Sequence, residues 1–185
     1  MAEKPHQFRE IKGDKTSKII IPIVSSEARE FFPVGIVGRD TIPNSRLFFI
    51  EKFDVWSFAI LSSKLHLAWL GAVCGRLEMR YNYSNTLGWN TFPVPKLTTK
   101  NREDLTRAAE NILLAREAHF PDTIADLYKP KSEKHPGMPE NLRAAHEEND
   151  RILEEIYIGR RFKNDTERLE KLFEMYTEMT TKVGA

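Results

Sequence analysis

Between residues 77 and 83 apolar and polar side chains alternate one by one. Leu77, Met79, Tyr81 and Tyr83 fall on one side, and Glu78, Arg80 and Asn82 on the other. Period-two alternation predicts a strand with one buried face, because successive side chains point to opposite faces. Its outer face carries an acid, a base and an amide in a row, and an ordinary solvated sheet face would look much the same. Upstream, Lys18-Ile19-Ile20-Ile21-Pro22-Ile23-Val24 predicts a strand that Pro22 limits to an edge or a strand start. Residues 32–37 and Leu47-Phe48-Phe49-Ile50 are two further short apolar runs bounded by Gly, Pro, Asn and Asp. Asp54 reads as the N-cap of a helix that starts at Val55 and continues through Trp56, Phe58, Ala59 and Leu65 towards Trp69. Apolar on most sides, that helix is expected to be largely buried, with Gly71 and Gly75 bracketing its end. In Gly88-Trp89-Asn90-Thr91-Phe92-Pro93-Val94-Pro95, two prolines one residue apart predict an extended, rigid strap.

Past the strap the period changes to that of a helix. Leu105, Ala108, Ala109, Ile112, Leu113 and Ala115 recur at helical spacing over residues 100–118. After a proline-rich connection, Pro139 predicts the first turn of a second helix carrying Leu142, Ala145, Ile152, Leu153 and Ile156, with Gly159 as its terminator. A third helix is expected from Asp165, with Leu169, Leu172, Phe173 and Tyr176 on one face. All three are amphipathic and must pack on something. The expected fold is therefore α+β: a mixed α/β domain over residues 1–96, then an all-helical C-terminal subdomain over residues 97–185.

Composition narrows the class without naming a reaction. Of the 185 residues, 41% are hydrophobic and 30% charged, a soluble globular balance. No apolar run approaches a membrane span, and the first ten residues lack the core of a signal peptide. One cysteine, Cys74, excludes an internal disulfide and suits a reducing, cytoplasmic setting. The net charge of +1 hides an asymmetry: residues 1–100 hold 14 Lys and Arg against 9 Asp and Glu (+5), and residues 101–185 hold 14 against 18 (−4). A polyanion is expected to meet the first half.

Catalytic signatures are missing from the chain. It has no phosphate-binding Gly-x-x-x-x-Gly-Lys loop, no Gly-x-Gly-x-x-Gly and no Gly-x-Ser-x-Gly elbow. Its histidines, His6, His66, His119, His135 and His146, show no metal-ligand spacing. Glu147-Glu148 and Glu154-Glu155 read as solvated helix faces and not as a catalytic pair.

An ordered set of motifs carries a resemblance. Leu61-Ser62-Ser63-Lys64-Leu65-His66-Leu67-Ala68-Trp69 is followed by Cys74-Gly75-Arg76-Leu77, by Tyr81-Asn82-Tyr83-Ser84-Asn85-Thr86 and by Asn90-Thr91-Phe92-Pro93-Val94-Pro95. In the second half come Leu127-Tyr128, Met138-Pro139, Leu142-Arg143-Ala144-Ala145-His146, Asn149-Asp150-Arg151 and Arg168-Leu169 to Leu172-Phe173. Together they resemble the target-recognition region and helical C-terminal segment of the MmeI-like adenine-specific DNA methyltransferases, many of them combined restriction–modification enzymes. The S-adenosylmethionine-binding motif and the Asn-Pro-Pro-Tyr/Phe motif of such enzymes are not in this chain. The resemblance thus implies a specificity segment that binds no cofactor itself, with S-adenosylmethionine held by the catalytic domain of the parent protein. It implies double-stranded DNA and that N-terminal methyltransferase domain as partners.

By resemblance, base reading falls to the segment around Glu78, Arg80 and Asn82. The chemistry is independently sensible: Arg donates two hydrogen bonds to guanine, Glu accepts from cytosine, and Asn pairs bidentately with adenine. Arg46, beside Asn44 and Ser45 at a strand start, is a further candidate reader. Lys12, Lys15, Lys18, Arg39 and Arg76 are candidate phosphate contacts, which position the duplex without specifying it. The plain alternative for Glu78 and Arg80 is mutual screening on an exposed surface, worth at most about 1 kcal/mol. Trp69, Trp89, Tyr81 and Tyr83 are expected in the core and not stacked on bases. A different class of function stays open as well: a protein–protein docking module that uses the acidic helical half and binds no DNA alone.

Overall fold

In the computed structural model, which describes residues 16–183, the chain crosses three times between two three-stranded sheets. Strand β1 (Lys18–Pro22) lies between β3 (Gly35–Val37) and β4 (Leu47–Glu51), antiparallel to both. Strand β2 (Val24–Ser25) pairs with β6 (Arg80–Asn82), which pairs in turn with β5 (Gly75–Leu77). Ile23 links the two sheets. Its N–H donates to the Arg46 carbonyl at 3.1 Å, and its carbonyl accepts from the Tyr83 N–H at 2.7 Å.

Two expectations about the strands are corrected here. Pro22 ends a central strand and not an edge strand. It is tolerated because β3 pairs only with residues 18–20, so the ladder on that side has already stopped. The alternating stretch is not one strand but a hairpin, with Leu77 paired to Arg80 across a two-residue turn at Glu78 and Met79. Leu77 and Met79 are 47% and 70% exposed at its tip, while Tyr81 is half-buried and Tyr83 is buried. The alternation is real, but it runs through a reversal. Only the part on β6 and beyond reaches the core.

The long helix expected from Val55 is two helices, α1 (Val55–Leu61) and α2 (Lys64–Val73). Ser62 and Ser63 break it. The Ser63 hydroxyl accepts from the His66 N–H at 3.1 Å and caps α2, the competition with helix bonding for which serine is suited. Asp54 occupies the N-cap of α1 in extended conformation, but its side chain makes no capping bond. Gly71 lies within α2, and Gly75 opens β5. A single π-helical turn at Asn85–Trp89 follows. At Gly88, a Cβ would stand 3.1 Å from the Tyr83 ring, so the turn can pack this closely only without a side chain.

The helical part is α3 (Thr99–Glu117), α4 (Ile124–Leu127), α5 (Glu140–Ile158) and α6 (Asp165–Val183). Thr98 and Asn101 form a capping box on α3, and Gly159 ends α5 at φ +71°, where glycine costs least. Pro139 stands at the N-cap, one residue before the expected first turn, and the short α4 is additional. Neither half keeps a core to itself. One apolar cluster extends from Ile19 to Leu172, and the Trp69 ring of α2 lies 5.0 Å from Phe173 and 5.6 Å from Tyr176 on α6.

Helix α5 also stitches the broken helix together. Asn149 donates from Nδ2 to the Ala59 carbonyl of α1 at 2.8 Å, and Asp150 Oδ1 accepts from the first N–H of α2, Lys64, at 2.8 Å. Unpaired groups at the junction thereby find partners from two consecutive residues of one helix.

Candidate nucleic-acid interface

The hairpin tip is built by backbone geometry before any side chain is considered. Glu78 adopts φ +58°, a conformation that a residue with a Cβ takes up at some cost. Turning the chain there brings Glu78 and Arg80 to one exposed tip, with Arg80 Nη2 donating to Glu78 Oε2 at 2.7 Å. Their side chains are 77% and 46% exposed. Behind the tip, the Arg76 guanidinium lies 4.4 Å from the Tyr81 ring centroid and donates to the Met79 carbonyl at 3.1 Å. Arg76 thus braces the turn from within the hairpin, while remaining exposed.

Asn82, half-buried, is in register with Val24 on one side and Gly75 on the other. Arg46 is exposed in the turn just before β4 of the other sheet, but its carbonyl accepts from Ile23, the residue whose own carbonyl holds Tyr83. The structure therefore gathers Arg46, Asn82 and the hairpin around residues 22–25. Arg39 is exposed beside Asp40 on the loop after β3, 3.8 Å from it. Lys12 and Lys15 lie outside the described residues.

Lys18 does not fit the part of a phosphate contact. Its side chain is 3% exposed, it donates to the Thr16 carbonyl at 2.9 Å, and it sits 3.7 Å from Glu51, its register partner on β4. A glutamate opposite the lysine in the ladder makes that burial less costly.

A groove of about 340 Å³ opens alongside the hairpin, lined in part by Ser25, Arg29, Leu47 and Arg80. Neither Ser25 nor Arg29 stood out in the sequence. Ser25 is 6% exposed and its Oγ has no hydrogen-bond partner among the described residues. Burial draws the pKa of the Arg29 guanidinium below its ordinary range.

Under the interface the aromatic residues are structural. Trp69 is 1% exposed and donates to Thr91 Oγ1 at 3.2 Å, and Trp89 packs edge-on against His66 at 6.1 Å. His66 is completely buried, 3.2 Å from the Tyr83 hydroxyl, and burial pushes its pKa down to about 3. His146 is also held neutral, first by burial and then by the nearby Arg116 charge. Burial raises the Cys74 thiol, so this cysteine behaves as a small apolar side chain.

Among the described residues, no three His, Cys, Asp or Glu side chains gather as a metal ion requires. Also among them, no helix is long and apolar enough to cross a membrane. What the surface offers is an array of hydrogen-bond donors and acceptors on a firmly backed turn.

Two family models divide the chain between them: the MmeI target recognition domain matches residues 1–96, and the MmeI C-terminal domain matches residues 97–184. DNA methyltransferase A of Bacillus subtilis (strain 168) is 38% identical over 182 residues, which are 98% of this chain and 20% of that protein. A solved structure of the type IIL restriction–modification enzyme MmeI, in complex with DNA, matches 96% of this chain and 23% of its own, with a TM-score of 0.87 and 35% identity. The chain spans between a fifth and a quarter of the length of these relatives.

Proposed function

Because the chain belongs to the MmeI family, as target recognition and C-terminal domain, we propose that it reads base edges of double-stranded DNA with its β5–β6 hairpin. The observation that supports this is the tip itself. Glu78 and Arg80 are exposed, hydrogen-bonded to each other at 2.7 Å, and carried on a turn that Arg76 and Tyr81 hold in place. A two-stranded ribbon fits the major groove, and both side chains can exchange one partner for another there. Arg80 leaves Glu78 to donate to guanine O6 and N7, and Glu78 accepts from cytosine N4. Each well-formed contact discriminates by about 1–3 kcal/mol. Arg46 and Asn82 read neighbouring base pairs, because both flank residues 22–25. Arg39 and Arg76, with Lys12 and Lys15, contact phosphates.

The parent protein, a bacterial cytoplasmic enzyme, methylates adenine at its exocyclic N6. Its methyltransferase domain holds S-adenosylmethionine and is this chain's partner within the same protein. The chain itself positions DNA and performs no chemistry. Fluorescence anisotropy with labelled duplexes tests the reading. Binding is expected near 50 mM salt and falls with added salt, the slope reporting the number of phosphates contacted. Absence of duplex binding would overturn a stand-alone reader.

One observation favours a second reading, a protein-docking role for the helical half. Leu114 and Phe120, at the end of α3 and just after it, are 61% and 86% exposed. Concentration-dependent self-association by light scattering, without DNA affinity, would support that reading instead.

A further inference from the structure

We infer that Ser25 and Arg29 form a seat for one phosphodiester of the DNA backbone, set beside the reading hairpin. The inference rests on the DNA-reading role proposed above and deepens it. Three independent features meet in one groove.

The first is an orphaned hydroxyl. Ser25 is 6% exposed, its Oγ has no partner among the described residues, and it lines the groove of about 340 Å³. A buried polar atom left unpaired is costly, and a turn of the Ser25 hydroxyl about its Cα–Cβ bond toward the groove its residue lines lets an entering acceptor satisfy it.

The second is a cation kept from its nearest acids. Arg29 is half-buried, and its guanidinium has no hydrogen-bond or ion-pair partner among the described residues. Glu30, next in sequence, is engaged by Lys64 and Arg143 and lines a different cavity. Glu27 is exposed. Partial desolvation without a counter-charge leaves Arg29 poised for an anion, and its planar fork matches two phosphate oxygens.

The third is position. The backbone of this segment is set by a tight turn, with the Ala28 N–H donating to Ser26 Oγ at 3.2 Å and the Arg29 N–H to the Ser26 carbonyl at 3.3 Å. Ser25 stands opposite Tyr81 in the β2–β6 ladder, and Arg80 lines the same groove. A phosphate bound by the Ser25 hydroxyl and the Arg29 guanidinium therefore fixes the spacing between backbone and reading tip. Val24, Leu47 and Ile124 supply an apolar wall for the deoxyribose. Such a contact positions the hairpin and carries no sequence information of its own.

The test is anisotropy of the 185-residue chain on labelled duplexes of several unrelated sequences, with Arg29→Gln and Ser25→Ala. Arg29→Gln is expected to weaken binding about tenfold on every sequence and to lower the slope of log K against log salt by about 0.9. Ser25→Ala removes an unsatisfied hydroxyl, so its melting temperature is expected to hold or rise while affinity falls about threefold. That opposition is what a merely structural serine does not produce. Unchanged affinity and slope in both variants, with the wild-type chain binding normally, would overturn the seat and leave the reading role standing. A loss confined to some sequences would make Arg29 a base reader and overturn the phosphate assignment. No binding by the wild-type chain would remove both. If Arg29→Gln does not fold, the Ser25→Ala pair of measurements decides alone.

Discussion

At the hairpin tip Glu78 holds Arg80 at 2.7 Å with 77% and 46% of the two side chains exposed; between α5 and α6, Glu154 holds Arg168 at 2.6 Å with 1% and 10% exposed. The two pairs are chemically alike and physically opposite. Water solvates the first pair whether or not it forms, so the contact contributes between nothing and about 1 kcal/mol. The second has lost its water, and each oxygen of Glu154 needs a protein donor. Arg161, Arg168 and the Phe162 N–H provide them. A pair that costs little to open can exchange its partner for a base edge. One that is buried can only hold structure.

Breaking the buried pair should have the largest effect. Glu154→Ala leaves Arg168 buried without its main acceptor and is expected to destabilise the chain by about 3–5 kcal/mol in urea melts. A loss below about 1 kcal/mol would mean that the two pairs do not differ as argued.

Asp150, on the same helix, gives a pH-dependent version. Burial raises its carboxyl pKa to about 7, partly offset by the Lys64 N–H. In the unfolded chain that group titrates near 4. Between these values the native state binds more protons, so its contribution to stability falls as pH rises from about 4 to 7 and is flat above. His66 has the opposite sign. Its native pKa of about 3 lies below the ordinary value of 6.5, so its contribution is complete above about pH 6.5 and falls as pH drops. Asp150→Asn removes only the first slope. The variant should gain on the wild type as pH rises from about 4 to 7, by up to about 1.4 kcal/mol per unit, with no further gain above. Thermal melts across pH 4–8 measure this, and parallel curves would refute it.

The tip predicts smaller numbers of the other sign. Glu78→Gly relieves the φ +58° conformation and is expected to raise stability by roughly 0.5–1 kcal/mol. Duplex discrimination should fall in the same variant. Smallest of all is the exchange Glu78→Arg with Arg80→Glu, expected to change stability by no more than about 0.5 kcal/mol.

The end of α5 was legible because it rests on local chemistry, Gly159 stopping the helix in the left-handed region, whereas the Thr98–Asn101 box that caps α3 was not read from the sequence. The break at Ser62 and Ser63 carried a signal too, but the apolar residues on either side masked it. The hairpin was read as one strand because its turn has no Gly or Asn-Gly signature; Glu78 takes the positive φ itself. Of the candidate site, Glu78, Arg80 and Arg46 could be named from residue type and resemblance. Lys18 was misjudged because its burial is made less costly by Glu51, which the β1–β4 register brings across from 33 positions away. Ser25 and Arg29 were invisible for a related reason. An orphaned hydroxyl and an unpartnered cation exist only once the fold has decided who their neighbours are.

The most direct test of the reading tip is selection from a randomised duplex pool, run on the wild-type chain and on the chain with Glu78 and Arg80 exchanged. The prediction is two enriched sites of similar affinity that differ at one base-pair position. Identical enriched sites, from an exchanged chain that folds and binds as tightly, would contradict it and return Glu78 and Arg80 to mutual screening.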